Sequence, residues 1–243
     1  MVSLTFQSER KKSFQNKRPS NIFALWFLSL VKSISKSIVV GVAGGTGAGK
    51  SSIVKEILKQ LGAEKISVIQ HDSYYKNRPE LSFDERTKIN FDHPDSLDTN
   101  LLVEHLNLLM SGENVEIPVF NHFTSYLRDS RKKKIKSVPI LIVEGILVLS
   151  EKKLRELMNL KVFIDVPPDL RFIRRLKRDL SEHSRSVESI TKQYLATIRP
   201  MHEHYVEPSK IHADVFVPED LSNRQAVKLL VSHLQNLQEK RFS

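Results

Sequence analysis

Eight consecutive residues, Gly44-Gly45-Thr46-Gly47-Ala48-Gly49-Lys50-Ser51, match the spacing G-x-x-x-x-G-K-[ST] in full. Each residue type has a chemical reason. Glycines let backbone N–H groups converge on phosphate oxygens, and a helix beginning at the end of the run adds its partial positive charge. A lysine in this place reaches the β- and γ-phosphates, and the hydroxyl that follows it can ligate Mg²⁺. The run is preceded by the apolar stretch Ile38–Val42. It opens an amphipathic segment that carries Ile53, Val54, Ile57, Leu58 and Leu61 at helical spacing. Strand, glycine loop and helix in that order predict a nucleoside triphosphate site, with Ser52 closing the set of contacting residues.

Three further groups fit phosphoryl transfer. Glu144 ends the apolar run Val138-Pro-Ile-Leu-Ile-Val-Glu144. A carboxylate there is costly to bury without a partner, and Mg²⁺ is a natural one, although a helix-capping role also fits. Asp72 ends Val68-Ile-Gln-His-Asp72. At the carboxyl edge of a parallel sheet it would face the triphosphate and could take the acceptor's proton; taken alone it reads equally as a turn residue. Arg171, Arg174, Arg175, Lys177 and Arg178 crowd one helical segment, with Arg185 just beyond. Such a helix can be a solvated face, but beside a phosphate loop it reads as a lid that neutralises the transferring group.

These groups need a frame that brings strand ends together. From Ser37 onward short β-branched runs alternate with helical patterns, which predicts an α/β fold: a five-stranded parallel sheet covered by helices. The strands are expected at Ile38–Val42, Ile66–His71, Ile140–Glu144, Val162–Val166 and Ala213–Val217. The helices are expected at Lys50–Leu61, Thr99–Ser111, Glu151–Met158, Asp169–Leu180, Val187–Glu203 and Asn223–Gln238. Val115–Phe120 and the basic stretch Arg131–Lys136 form a small antiparallel hairpin off the main sheet. No internal repeat or low-complexity linker divides the chain, so residues 37–243 read as one domain.

The 243 residues are 40% apolar and 27% charged, which suits a folded chain and excludes disordered, collagen-like or coiled-coil classes. With no cysteine there are no disulfides or thiolate metal sites, consistent with a cytoplasmic location. His202 and His204 form the one close histidine pair, and their spacing points the rings to different helix faces, which argues against zinc. Of the net charge of +10, residues 1–37 supply +6, from seven basic residues against Glu9 alone. The charge therefore belongs to a tail rather than to a nucleic-acid-binding surface. That tail includes the apolar run Ile22–Val31, too short for a membrane-spanning helix. Residues 1–36 read as a poorly ordered extension.

Taken together the motifs resemble the uridine kinase (uridine–cytidine kinase) family of P-loop kinases. The resemblance runs through Gly41–Ser52, Asp72-Ser-Tyr-Tyr75, Asn90-Phe-Asp-His-Pro-Asp95, Glu144-Gly-Ile-Leu147 and Arg174-Arg175-Leu-Lys-Arg178-Asp179. It continues through Gln193-Tyr194, Arg199-Pro-Met201, Glu207-Pro-Ser-Lys210 and Ala213-Asp214. It implies transfer of the γ-phosphate of ATP or GTP to the 5′-hydroxyl of uridine or cytidine, in pyrimidine salvage. On this resemblance Asp72 is the catalytic base, with Lys50 and Arg178 acting on the phosphates and Ser51, Asp72 and Glu144 grouped around Mg²⁺. Asp92 and Arg175 grip the ribose hydroxyls, Tyr75 and Phe91 wall the nucleoside pocket, and Arg185 and Gln193 close it. A homotetramer is implied as well.

Two departures stand out. The family's base-recognition hairpin reads Tyr-Asp-Phe (or Tyr)-x-x-His-x-Arg, whereas this chain has Phe120-Asn-His-Phe-Thr-Ser-Tyr126-Leu-Arg128. Matching Phe123 and Arg128 requires one inserted residue and puts Tyr126 in the histidine's place; counting from Phe120 puts Ser125 there. His183 stands where the lid commonly has arginine. Related acceptors therefore stay open, those of phosphoribulokinase-, pantothenate-kinase- and nicotinamide-riboside-kinase-like enzymes. A nucleotide-binding regulator without catalysis and a protein acting through its basic tail are the alternatives from other classes.

Overall fold

The computed structural model describes residues 37–122, 124–182, 185–218 and 223–242. The extension 1–36, Phe123 and His183 lie outside the described residues. Five strands form one parallel sheet: β1 (Ile38–Ala43), β2 (Ile66–Gln70), β5 (Ile140–Glu144), β6 (Leu160–Asp165) and β7 (Val215–Pro218), in the order β2-β5-β1-β6-β7. β3 (Val115–Phe120) and β4 (Arg128–Ile135) pair antiparallel as the separate hairpin.

The central strands are apolar on both sides because helices cover both faces of the sheet. Ile38, Val40 and Val42 of β1 pack with Ile53, Val54 and Ile57 of α1 (Lys50–Leu61) and with Val227, Leu230 and Leu234 of the last helix (Asn223–Phe242). Val39 and Ala43 point the other way, into a core with Leu102, Leu106 and Leu109 of α3 (Thr99–Ser111) and with Leu154. A short helix, α2 (Phe83–Thr87), was not expected from periodicity. Ser82 and Glu85 close a reciprocal cap at its start, the device that lets so short a segment hold a helical turn.

Two expected helices are shorter than their apolar spacing suggests. Glu151–Met158 is reduced to the single turn α4 (Lys152–Arg155), because Asn159 is drawn into the sheet. Its N–H donates to the Val39 carbonyl at 2.7 Å and its side-chain oxygen accepts from Val39 N–H at 2.9 Å. The segment expected as Val187–Glu203 starts as α6 (Val187–Gln193) and then widens into π-turns at Tyr194–Ile198 and His202–Val206. Pro200 between them has no N–H to continue an α ladder, and wider turns accommodate the missing bond. The basic helix, α5 (Pro168–Glu182), runs from the end of β6 toward α6.

Candidate active site

The carboxyl ends of β1, β2 and β5 are in register, with Glu144 opposite both Val42 and Gln70. The glycine loop follows β1, Asp72 follows β2 and Glu144 closes β5, so strand pairing alone brings the three motifs to one edge. They open into a cleft of about 1160 Å³.

The loop conformation depends on its glycines. Gly44 has φ +144° and Gly47 φ +78°, backbone regions that a side chain disfavours. A Cβ on Gly44 would come within 2.7 Å of the Ile164 carbonyl oxygen, and one on Gly47 would collide with the Arg171 carbonyl. Arg171 is buried behind the loop, where it donates to the Val166 carbonyl at 2.9 Å and contacts His202 at 3.0 Å. It is a strut for the loop, which separates it from the other lid arginines. Ser52 is exposed on the first turn of α1, away from the cleft-lining side chains.

Lys50 Nζ donates to the carbonyls of Gly44 at 3.0 Å and Gly45 at 3.1 Å. Burial pulls its pKa down to about 8, against the opposing attraction of Glu144 and Asp72. Ser51 Oγ lies 3.3 Å from Glu144 Oε1, which also accepts from Gln70 at 3.4 Å. Glu144 is only 5% exposed, and its Oε2 is buried with no hydrogen-bond partner among the described residues. A hydroxyl beside an unsatisfied buried carboxylate oxygen is a donor set that fits a hard divalent cation shared with phosphate oxygens. No cluster of three or more His, Asp or Glu suited to hold a metal alone occurs among the described residues.

Asp72 lies in the tight turn His71–Tyr74 and faces the same cleft. Beyond it an aromatic box forms: Tyr75 meets Phe91 edge-on at 4.8 Å and Phe120 at 5.2 Å, and Phe91 stacks on Tyr126 at 5.8 Å with 18° between the planes. Tyr126 adopts φ +53°, a left-handed conformation unusual for an aromatic residue and a mark of local constraint. On either side of it the chain is tied down: Arg86 Nε donates to the Ser125 carbonyl at 2.9 Å, and Arg128 donates to the Tyr75 carbonyl at 3.0 Å and to Asp98 at 3.3 Å. Tyr126 lines the cleft and Ser125 does not.

Asp92 also lines the cleft, and desolvation raises its pKa against the pull of Arg175 and Lys50. Arg175 Nη1 donates to Thr46 Oγ1 at 2.9 Å, and Nη2 to Gln193 Oε1 at 3.2 Å. The pKa of Arg175 is lowered by burial, with Asp179 and Asp92 opposing the shift. Arg178 and Arg185 complete the far wall.

Of the side chains expected at the site, Thr46, Lys50, Ser51, Asp72, Tyr75, Phe91, Asp92, Tyr126, Glu144, Arg175, Arg178, Arg185 and Gln193 line this one cleft. Several cleft residues were missed, two histidines and Gln70 and Lys88 among them. His122, whose ring meets Tyr75 at 5.6 Å and Phe120 at 5.1 Å, lies two residues past Phe120; continuing the strand alternation would have found it. His71 is 1% exposed with neither ring nitrogen hydrogen-bonded among the described residues, and burial lowers its pKa to about 3. Nothing in its sequence context distinguishes it from an ordinary strand-end histidine.

Comparison with known proteins agrees with this geometry. A family profile described as "Phosphoribulokinase / Uridine kinase family" matches residues 39–225. The chain is similar to a uridine kinase from Chloroflexus aurantiacus, at 48% identity over 198 residues, covering 82% of this chain and 94% of that protein. It is 43% identical over 205 residues to a uridine kinase from Streptococcus thermophilus, covering 84% of this chain and 97% of that one. Among solved structures, phosphoribulokinase from Rhodobacter spheroides superposes with a TM-score of 0.57 at 16% identity, over 75% of this chain and 70% of that one. A D-glycerate 3-kinase from Cryptococcus neoformans reaches 0.52 at 12% identity, over 84% of this chain and 97% of that one. At these identities the structural likeness speaks to the fold alone.

Proposed function

Because the chain belongs to the phosphoribulokinase / uridine kinase family, we propose that it is a uridine kinase, moving the γ-phosphoryl group of ATP or GTP to the 5′-hydroxyl of uridine or cytidine in pyrimidine salvage. The observation that carries the reading is the single cleft in which phosphate loop, Asp72 and the Asp92/Arg175 pair face one another.

The roles follow from position. Backbone N–H groups of residues 44–52 and the Lys50 ammonium hold the triphosphate, whose charges restore the proton that burial makes easy to lose. Ser51 and Glu144, with Asp72 beside them, would hold Mg²⁺, which when bound would supply charge neutralisation to the triphosphate. Asp72 accepts the proton of the 5′-hydroxyl as its oxygen bonds to the γ-phosphorus. The bond from that phosphorus to the β–γ bridging oxygen breaks, and ADP or GDP leaves. Arg178 offsets charge on the moving phosphoryl group. Asp92 and Arg175 bind the ribose diol, a carboxylate accepting and a guanidinium donating. Tyr75 and Phe91 flank the nucleoside, Tyr126 presents its hydroxyl toward the base, and Arg185 and Gln193 close the far side.

Within this reading residues 37–243 form the catalytic domain, the enzyme is cytoplasmic and the oligomer is a homotetramer. No described helix is long and apolar enough to cross a membrane. The test is ADP release measured by a coupled assay across uridine, cytidine, nicotinamide riboside, pantothenate and ribulose 5-phosphate. The pyrimidine ribonucleosides should be the fastest acceptors; turnover of pantothenate or ribulose 5-phosphate in their place would overturn the nucleoside assignment.

A further inference from the structure

Only two carboxylates are buried among the described residues: Glu144, treated above, and Asp179, which is 2% exposed on α5. Asp179 sits among three cleft arginines. Its Oδ1 accepts from Arg178 Nε at 3.0 Å and Nη2 at 2.8 Å, while Oδ2 lies 3.4 Å from Arg175 Nε and 3.6 Å from Arg185 Nη1. Gln193 Oε1 accepts from two of the same arginines, at 2.7 Å from Arg185 and 3.2 Å from Arg175. One carboxylate and one amide oxygen therefore organise three guanidiniums drawn from α5 and the segment after it.

The electrostatics explain why such a centre is needed. Three like charges on one cleft wall repel, and long side chains relieve that repulsion by swinging into water. Arg178, whose side chain is 43% exposed, has room to do so. A single buried anion removes the repulsion yet leaves the cluster at two net positive charges, still attractive to a polyphosphate. Asp179 borders the cleft, but it is 2% exposed and both of its oxygens are engaged by these arginines. A carboxylate repels phosphate, so its favourable action on a reacting phosphate runs through them.

We infer that Asp179 is a positioning residue for phosphoryl transfer, holding Arg178 and Arg185 where the phosphates meet them and Arg175 where it meets the acceptor. The inference rests on the kinase reading above and adds a residue to it. Electrostatic stabilisation of a transition state depends on charges set in place beforehand, so loosening the anchor should slow chemistry more than it weakens binding.

The experiment is a double-mutant cycle on the full chain, with Asp179→Asn, Arg178→Ala and the pair, reading kcat and KM for ATP with uridine as acceptor and the melting temperature of each protein. Asp179→Asn should lower kcat by about 10- to 100-fold while KM for ATP moves less than about threefold. Because Asp179 works partly through Arg178 and partly through Arg175 and Arg185, Asp179→Asn should cost at least about threefold less in the Arg178→Ala background than in wild type, without becoming silent. Should Asp179→Asn fail to fold, Asp179→Glu replaces it in the cycle; the added methylene misplaces the carboxylate and keeps its charge. Losses that multiply, or an unchanged kcat in the folded variant, overturn the inference and leave the kinase reading intact. A wild-type protein that does not phosphorylate uridine overturns the reading itself.

Discussion

Removing one hydroxyl from the acceptor tests the pairing of Asp92 with Arg175 without touching the protein. Both groups stand in the cleft and sense each other's charge, and burial raises the Asp92 pKa, so its carboxylate has already lost water that would otherwise solvate it. A ribose 2′-hydroxyl replaces that water with a charge-assisted hydrogen bond. A 2′-deoxyribose leaves one partner unsatisfied, which costs about 1–3 kcal/mol for a group in this setting. At about 1.4 kcal/mol per tenfold, kcat/KM should fall by roughly 5- to 150-fold between uridine and 2′-deoxyuridine. Asp92→Asn should narrow that gap to within a few-fold, because an amide neither charges the bond nor costs as much when unpaired. The assay is steady-state ADP formation with uridine, cytidine and 2′-deoxyuridine, in wild type and Asp92→Asn. Equal use of uridine and 2′-deoxyuridine by the wild type would refute the diol assignment, as would full discrimination in Asp92→Asn.

Asp72→Asn and Lys50→Ala should each lower kcat by on the order of a hundredfold or more at unchanged melting temperature. Near-normal turnover in Asp72→Asn would make Asp72 a turn residue. Lys50 sets a pH limit: with its folded pKa at about 8, kcat/KM for the triphosphate should fall as pH rises through that value, while kcat at saturating triphosphate persists to higher pH. The folded pKa lies below the ordinary 10.5, so between these values the unfolded chain binds more protons and Lys50 makes stability rise with pH. A kcat/KM profile flat through that window would show that the free ammonium is not what binds phosphate. A chain beginning at Ser37 should retain phosphoryl transfer and bind anionic surfaces less, having shed +6 of the +10 charge; loss of activity would give residues 1–36 a part in the catalytic domain. Tyr126→Phe should change the uridine-to-cytidine ratio of kcat/KM by a few-fold, and an unchanged ratio would remove its hydroxyl from the base.

Much of the frame was legible because local rules and tertiary packing agree in it. α1 and α3 begin and end where helical spacing and glycine punctuation put them, and β5 spans the five residues expected, since a strand buried on both faces is an unbroken apolar run. The departures fall where a distant contact overrides the local pattern. Asn159, bonded to Val39 across 120 residues of chain, stops α4 early, and the turns around Pro200 leave the α conformation. The register of residues 120–128 was open because one alignment keeps Phe123 and Arg128 at the cost of an inserted residue, while the other needs no insertion and leaves Arg128 one position off. What the fold adds is the placement of Tyr126 in the cleft and the anchoring of Arg128 to Tyr75 and Asp98, partners remote in sequence.

The sequence by itself determined the phosphate chemistry of this protein. A glycine loop joined to Lys50 and Ser51 is a contiguous device, and its geometry follows from backbone freedom and from the strand and helix on either side. Only the tertiary structure decided how the basic helix divides its labour. Arg171, Arg175 and Arg178 share one helix face and one charge, and nothing in their spacing says which serves the loop and which the cleft. Arg171 goes beneath Gly45 and Gly47 because the start of α5 packs against the loop, while Arg175 and Arg178 turn to Asp179 and Gln193 further along. The role of a side chain that is set by its neighbours cannot be read before the chain has brought those neighbours together.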